Sequence, residues 1–159
     1  MSEQTLTILA IDPASITGWA LLLNGEITSG TIDVRRIRKN QGPGHQMLLI
    51  ERELDERFGE LPDGSARVVI ERPGYFKHIE ASVIVGGLSM HAKLWAKRHG
   101  HFTGHYSPQT VKKHATGHGH SGKEQMIAHA RHRWPDVTFF DDNQADAMWL
   151  LDLAINGVQ

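Results

Sequence analysis

Residues 5–33 run TLTILAIDPASITGWALLLNGEITSGTID, and how this stretch is read decides the fold. Thr5 to Ile11 alternates and is rich in β-branched side chains, which predicts a strand ending at Asp12-Pro13. Thr17 to Leu23 predicts a second strand. Asn24-Gly25 is a two-residue hairpin signal, because both central residues of such a turn need positive φ. Glu26 to Asp33 is therefore expected to return as a third strand. The chain thus opens as an antiparallel meander whose first strand ends in a carboxylate.

Beyond it the period changes. Gln41-Gly42-Pro43-Gly44 reads as a break before an amphipathic helix at about His45 to Phe58, with Met47, Leu48, Ile50, Leu54 and Phe58 on one face. Leu61-Pro62-Asp63-Gly64 reads as a turn. Ala66 to Glu71 is a short apolar run consistent with a central buried strand. Ile79 to Arg98 predicts a long helix and His101 to Tyr106 a further strand. Ser107-Pro108 has the form of an N-cap followed by proline in the first turn. Residues 116–122, Thr-Gly-His-Gly-His-Ser-Gly, form a glycine-rich loop. Ser121 to Glu124 has capping-box spacing for a helix to about Arg133, and a last helix covers roughly Asp142 to Ile155. With no repeat or linker, residues 1–159 read as one α/β domain.

Three acids take positions that this order makes informative. Asp12 ends the first strand, Glu71 ends the fourth, and Asp146 lies in the first turns of the last helix. In α/β proteins the carboxyl ends of strands are where sites are built. Asp142, four residues before Asp146, projects from the same helical face. Such carboxylates repel one another unless a hard divalent cation with oxygen ligands sits among them, and Mg²⁺ or Mn²⁺ suits that donor set. Two ions bridged by a carboxylate, with Asp12 in the bridging position, can activate water and stabilise the leaving oxygen of a phosphodiester.

Four ordered blocks carry a resemblance. Residues 9–19, LAIDPASITGW, are similar to the opening I-D-P-G-S-x-x-T-G of the RuvC-type Holliday junction resolvases, with a phage-type branch in view. Residues 69–73, VIERP, are similar to the family's second acidic strand. Residues 106–126, YSPQTVKKHATGHGHSGKEQM, resemble its Y-x-P-x-x-V-K-x-x-x-T-G-x-G-x-x-x-K-x-Q-[VM] stretch, and residues 142–147, DNQADA, its D-x-A-D-A helix start. The resemblance implies an RNase H-like fold with a mixed five-stranded sheet flanked by helices. It also implies a metal-dependent homodimer that cuts opposed strands of a four-way junction. Ala81 to Trp95 could supply that dimer interface or ordinary core. The expected activity is resolution of branched DNA. A catalytically weak junction-binding protein and an RNase H-like nuclease with another substrate are the alternatives.

Two departures bear on the site. Ala14 stands where the family has glycine, so that turn must accept a Cβ. The family often spaces its last two ligands three residues apart, which pairs Asn143 with Asp146. Asn143 offers a carbonyl oxygen without charge, so Asp142 is preferred as fourth ligand and Asp141 is held in reserve. The expected catalytic set is Asp12, Glu71, Asp142 and Asp146, with Asn143 added to the metal ligands.

Junction recognition needs phosphate contacts more than base readout. The resemblance points to Lys112, Lys113 and Lys123, with Gly117, Gly119 and Ser121 of the loop offering backbone and hydroxyl donors. It also points to Tyr75 or Phe76 as an aromatic wedge stacked on unpaired bases, one of the two being expected to pack in the core. His114, His118 and His120 invite a zinc reading, but their spacing fits no common closed site and the chain has no cysteine.

Composition limits the rest. Net charge is −1, yet residues 90–134 hold eight Lys/Arg and nine of the eleven histidines against one acid, Glu124. A second basic cluster spans Arg35 to Lys39, and acids gather at Glu51 to Asp63 and Asp136 to Asp152. Segregation of this kind suggests a local polyanion-binding face. No run approaches the roughly 18 apolar residues of a membrane span. The N-terminus lacks a secretory pattern, so a bacterial or phage-infected cytosol is the expected setting. Nothing in the sequence specifies a helicase partner.

Overall fold

A computed structural model describes residues 5–35 and 41–157. The chain order is β1 (Ile8–Asp12), β2 (Ile16–Leu23), β3 (Glu26–Asp33), α1 (Gly42–Phe58), β4 (Arg67–Glu71), α2 (Ile79–Arg98), β5 (Phe102–Tyr106), α3 (Pro108–Thr116), α4 (Lys123–Arg133) and α5 (Asp142–Asn156). The strands form one sheet in the order β3-β2-β1-β4-β5. β1, β2 and β3 pair antiparallel, while β4 joins β1, and β5 joins β4, in parallel. The hairpin forms at Asn24 (φ 53°) and Gly25 (φ 82°), the backbone that this dipeptide signals.

The two central strands are apolar almost throughout because helices cover both of their faces. Ile8 to Ile11 and Val68 to Ile70 are fully buried. Alternation along β1 and β4 divides them. Ile8, Ala10 and Val69 join α3, α4 and α5 in one core, around Met126, Met148 and Trp149. Leu9, Ile11, Val68 and Ile70 join α1 and α2 in the other, around Leu54, Phe58, Leu88 and Trp95. Carrying that alternation one residue further turns Asp12 and Glu71 toward α5.

α1 begins at Gly42 rather than His45, because Pro43 occupies its first turn instead of breaking the chain before it. On this helix Ile50, Leu54 and Phe58 are buried, but Leu48 is 63% exposed. It lies about 100° around the helix from Met47, off the apolar stripe. The N-cap of α4 also falls one residue later than expected, and because it is a glycine only the return half of a capping box forms. The Gly122 N–H donates to the side chain of Gln125 at 3.0 Å, in place of the expected Ser121 and Glu124 pairing.

α5 is buried on most sides and is set into the sheet by two contacts. The backbone carbonyl of Asn143 lies over Gly18, where an added Cβ would come within 1.9 Å of it. Gln144, 4% exposed, donates to Ser29 Oγ at 3.0 Å and to the Thr138 carbonyl at 3.3 Å, and accepts from the Phe140 N–H at 3.1 Å. Gly18 is also the register partner of Asp12. The first turn of α5 can therefore approach Asp12 only because β2 has no side chain there. Gly18→Ala is expected to destabilise the protein by about 1–3 kcal/mol through overpacking. A urea midpoint equal to that of the parent would show that α5 has room to move.

Candidate metal centre and nucleic-acid interface

Asp12 and Glu71 end adjacent parallel strands on the same side of the sheet, since Ile11 pairs with Ile70 one residue earlier. The turn after Asp12 is held by Thr17, whose buried hydroxyl donates to the Ala14 carbonyl at 2.7 Å. Ala14 takes the family's glycine position without cost in conformation. Among the described residues Asn24 alone, outside the glycines, has positive φ.

From the other side, α5 brings its first turns over these strand ends. Asp141 is the N-cap and accepts from the Gln144 N–H at 2.9 Å, so one of its oxygens is already committed. Asp142 and Asp146 lie one turn apart beyond it. Burial, and then the charges of Glu71, Asp146 and Asp142, hold the Asp12 carboxyl well above the usual range. Burial and Asp146 push Glu71 up to about 8, and burial and Asp142 push Asp146 up to about 7. Asp142 thus belongs to the cluster electrostatically. Asn143 is in the same turn, half-buried, and adds no charge.

Two lysines face this negative group. Lys123 Nζ stands 2.8 Å from Asp142 Oδ2. Its own pKa is raised by that hydrogen bond and then by the charges of Asp142, Asp146 and Asp12. Lys112, half-buried on α3, acts against the upward shifts of Glu71 and Asp146. Both are expected phosphate contacts, and both also lie within the field of the carboxylates. Lys113 is exposed and turned to solvent.

Among the described residues, no three His, Asp or Glu side chains lie close enough to hold a metal ion as they stand. The carboxylates interact through space, as like charges do with no cation between them. Their chemistry nevertheless fits one. An all-oxygen, strongly anionic donor set suits Mg²⁺ or Mn²⁺, and its raised proton affinity is what a bound cation would relieve.

The glycine-rich loop is tied internally. Gly117 takes φ +84° and caps α3. Ser121, expected to offer its hydroxyl to DNA, is 3% exposed, and that hydroxyl pairs with Thr116 Oγ1 and donates to the His118 carbonyl at 2.9 Å. It shapes the loop from within, leaving the backbone at exposed Gly117 and half-buried Gly119 as the accessible part. His118 and His120 are exposed, whereas His114 Nε2 pairs with Asp152 Oδ2 at 2.7 Å. Tyr75 is 93% exposed; Phe76 is half-buried and outside both cores, so neither ring is a core residue. In the Arg35 to Lys39 cluster, Arg35 pairs with Asp33 at 2.8 Å; the other four lie outside the described residues.

Sequence reasoning missed Gly18 as the seat of α5 and Gln144 as its anchor. A glycine inside an apolar strand was the available signal for the first. For Gln144, only a polar residue among apolar neighbours hinted at a buried hydrogen-bonding role.

The raised carboxyls have a consequence for stability. Glu71 and Asp146 bind protons more tightly folded than unfolded, so their contribution is fullest below their unfolded values and is lost as pH rises through about 7 to 8. In EDTA, the urea midpoint is expected to fall between pH 5.5 and 8.5. Glu71→Gln should flatten that fall and be the more stable protein at pH 8.5 by on the order of 1–2 kcal/mol. A parent midpoint that holds level or rises with pH would show that the acids are relieved by other means.

No family profile matches the chain. It is 29% identical over 161 residues to the crossover junction endodeoxyribonuclease RuvC of Rhizobium etli (strain CIAT 652), covering 92% of this chain and 87% of that one. It is 27% identical over 154 residues to the same-named protein of Chelativorans sp. (strain BNC1), covering 91% and 85%. Thermus thermophilus RuvC in complex with a Holliday junction substrate superposes with a TM-score of 0.73 at 20% identity, over 96% of this chain and 94% of that one. The yeast mitochondrial Holliday junction resolvase does so with a TM-score of 0.57 at 16% identity, over 95% and 81%. At these identities the structural likeness establishes the fold, which is RNase H-like. In sequence over 92% of its length, and in fold over 96% of it, this chain resembles the RuvC-type Holliday junction resolvases.

Proposed function

We propose that this protein is a structure-selective endodeoxyribonuclease that resolves Holliday junctions and other branched DNA by metal-dependent phosphodiester hydrolysis. The observation that carries the reading is the gathering of Asp12, Glu71, Asp142 and Asp146 at one sheet edge, with Lys112 and Lys123 in their field. Those four acids would hold two Mg²⁺ ions, with Mn²⁺ as a substitute and the Asn143 amide oxygen as a further donor. When bound, the ions supply a hydroxide near neutral pH and offset charge on the leaving oxygen. The protein's own part is to hold the acids aligned on rigid strand ends and a buried helix, where their raised proton affinity is what bound cations would offset. Lys123 is held at Asp142 until a phosphate offers it a second anion, and Lys112 lowers the charge that an incoming phosphate meets. Gly117, Gly119 and the N-terminus of α4 present backbone donors to the flanking backbone, with Ser121 holding the loop in shape and Lys113 adding charge. Tyr75, free of packing, is the better placed of the two aromatics to stack on an unpaired base.

A second copy of the chain completes the reading, since paired cuts need two sites. α2 buries Leu88, Ala92 and Trp95, while Ile79, Val83, Met90 and Leu94 follow one another along its exposed side. That stripe is the proposed dimer contact. A non-catalytic junction-binding protein is the second reading, and Asn143 in a ligand position is what favours it. No helix among the described residues is long and apolar enough to cross a membrane, and the cytosol is the proposed setting.

With Mg²⁺ and a labelled synthetic four-way junction, paired nicks on opposite arms are expected, without cleavage of linear duplex or an RNA–DNA hybrid. Asp12→Asn, Glu71→Gln and Asp146→Asn should each reduce cleavage by at least about a hundredfold while leaving junction binding within a few-fold. Cleavage of the hybrid alone would reassign the substrate. Tight binding without cleavage in either metal would establish the second reading. Val83→Glu with Met90→Glu is expected to give a monomer at micromolar concentration in sedimentation, and an unchanged dimer would remove α2 as the contact.

A further inference from the structure

The sheet has an open edge at β5, and its active-site end carries a basic group that the lysines of α3 and α4 do not include. His105 on β5 is the register partner of Ile70, so it follows the α2 side of the sheet. Arg72 comes directly after Glu71, and its N–H donates to the Tyr106 carbonyl at 2.9 Å, which fixes the stem from which its side chain leaves. Lys93 lies on α2, which packs against both β4 and β5. Shallow burial, followed by the charges of Arg72 and Lys93, holds the His105 pKa below the usual imidazole value. Both charged groups that bear on it are therefore cations. Arg72 and His105 are exposed and Lys93 is half-exposed. Among the described residues none of the three forms an ion pair, whereas His91 and Arg98 of α2 pair with Glu51, and His99 just beyond the helix pairs with Asp55 and Asp63.

Gathering cations without a counter-charge gives nothing to folding, because like charges so placed destabilise. Their use has to lie in what they receive. The position identifies the chemistry. Arg72 is one residue from a carboxylate of the proposed cutting site, on the opposite side of the sheet from Lys112, Lys113 and Lys123. A polyanion that reaches the acidic edge must pass charges of its own sign. Cations on both flanks offset that repulsion, whereas cations on one flank leave half of it in place.

We propose that Arg72, Lys93 and His105 form a second phosphate-binding site, which holds the DNA backbone on the α2 side of the sheet while the α3–α4 lysines hold it on the other. This rests on the nuclease reading above and extends it to the path of the bound strand. The test uses the Asp12→Asn protein with Mg²⁺, so that DNA is bound and not consumed. Fluorescence anisotropy follows a labelled four-way junction across a salt series. Arg72→Gln with Lys93→Gln is expected to weaken binding about tenfold and to reduce the slope of log affinity against log salt by about two, one phosphate contact being lost with each charge. Arg52→Gln, which removes one charge from α1, should change neither. Arg72→Lys with Lys93→Arg, which keeps both charges, should bind within about threefold of the parent. The double glutamine protein should melt no earlier than the parent, since it loses repulsion and no contact.

Affinity and slope indistinguishable from those of Arg52→Gln would overturn the proposal and leave the nuclease reading standing. If the parent shows no preference for the junction over linear duplex, the junction reading fails by itself. The slope comparison on duplex then still decides whether these three side chains bind phosphate.

Discussion

Four carboxylates have to be held within each other's field, and most of what is distinctive in this fold serves that constraint. Left to themselves the acids would move apart or stay protonated, as the values near 8 for Glu71 and near 7 for Asp146 show. They are kept together from two directions. Asp12 and Glu71 cannot separate, because β1 and β4 are adjacent central strands buried on both faces. Asp142 and Asp146 cannot retreat, because α5 is seated on Gly18 and anchored by Gln144. Asp152, further along α5, pairs with His114 on α3 and with Arg133 on α4. The helices that carry Lys112 and Lys123 are thus fixed to the helix that carries two of the acids. Stability given up at the acidic edge is supplied by the apolar layers behind it, an arrangement common where function requires an unfavourable local cluster.

The sheet and its acids were legible because each rests on a local signal. Period-two alternation marked β1 and β2, Asn24-Gly25 marked the hairpin, and an apolar run marked β4. Asp12 and Glu71 follow from these, since an acid at the end of a buried strand has few ways to point. The ends of elements were less legible. At Gly42-Pro43 a pair that can either break or begin a helix did the second, and at Ser121-Gly122 the start fell one residue later than the motif spacing predicts. Gly18 is the clearest case of a site feature that local pattern could not supply. Its importance comes from the Asn143 carbonyl, 125 positions away, and only the packing of α5 on β2 reveals it.

Ser121 shows a different limit. Its place beside Lys123 in a glycine-rich stretch made a phosphate contact the natural expectation, because a hydroxyl there can donate. In the fold the same hydroxyl is used by Thr116 and the His118 carbonyl. A short polar side chain in a tight loop finds backbone partners sooner than it finds a ligand. Residue type and motif position gave the right loop, but which groups of it remain free was a property of its closure.

The near-neutral net charge is the feature that most resisted a nucleic-acid reading, and the structure removes the difficulty by showing where the charges are spent. The acids of α1 are turned to α2: Glu51 meets His91 and Arg98, and Asp55 meets His99 and the Trp95 N–H. Part of the basic run at residues 90–134 is thereby paired within the protein. Among the described residues, the cations without an ion pair near the acidic edge include Lys112 on one side of the sheet and Arg72, Lys93 and His105 on the other. Lys123 differs from these in being paired, but its partner is Asp142, a member of the edge itself. Exposed charges separated by more than the Debye length, about 8 Å at physiological salt, scarcely feel one another. A polyanion approaching this edge is therefore governed by those side chains and by the four acids, and hardly at all by the sum over the chain.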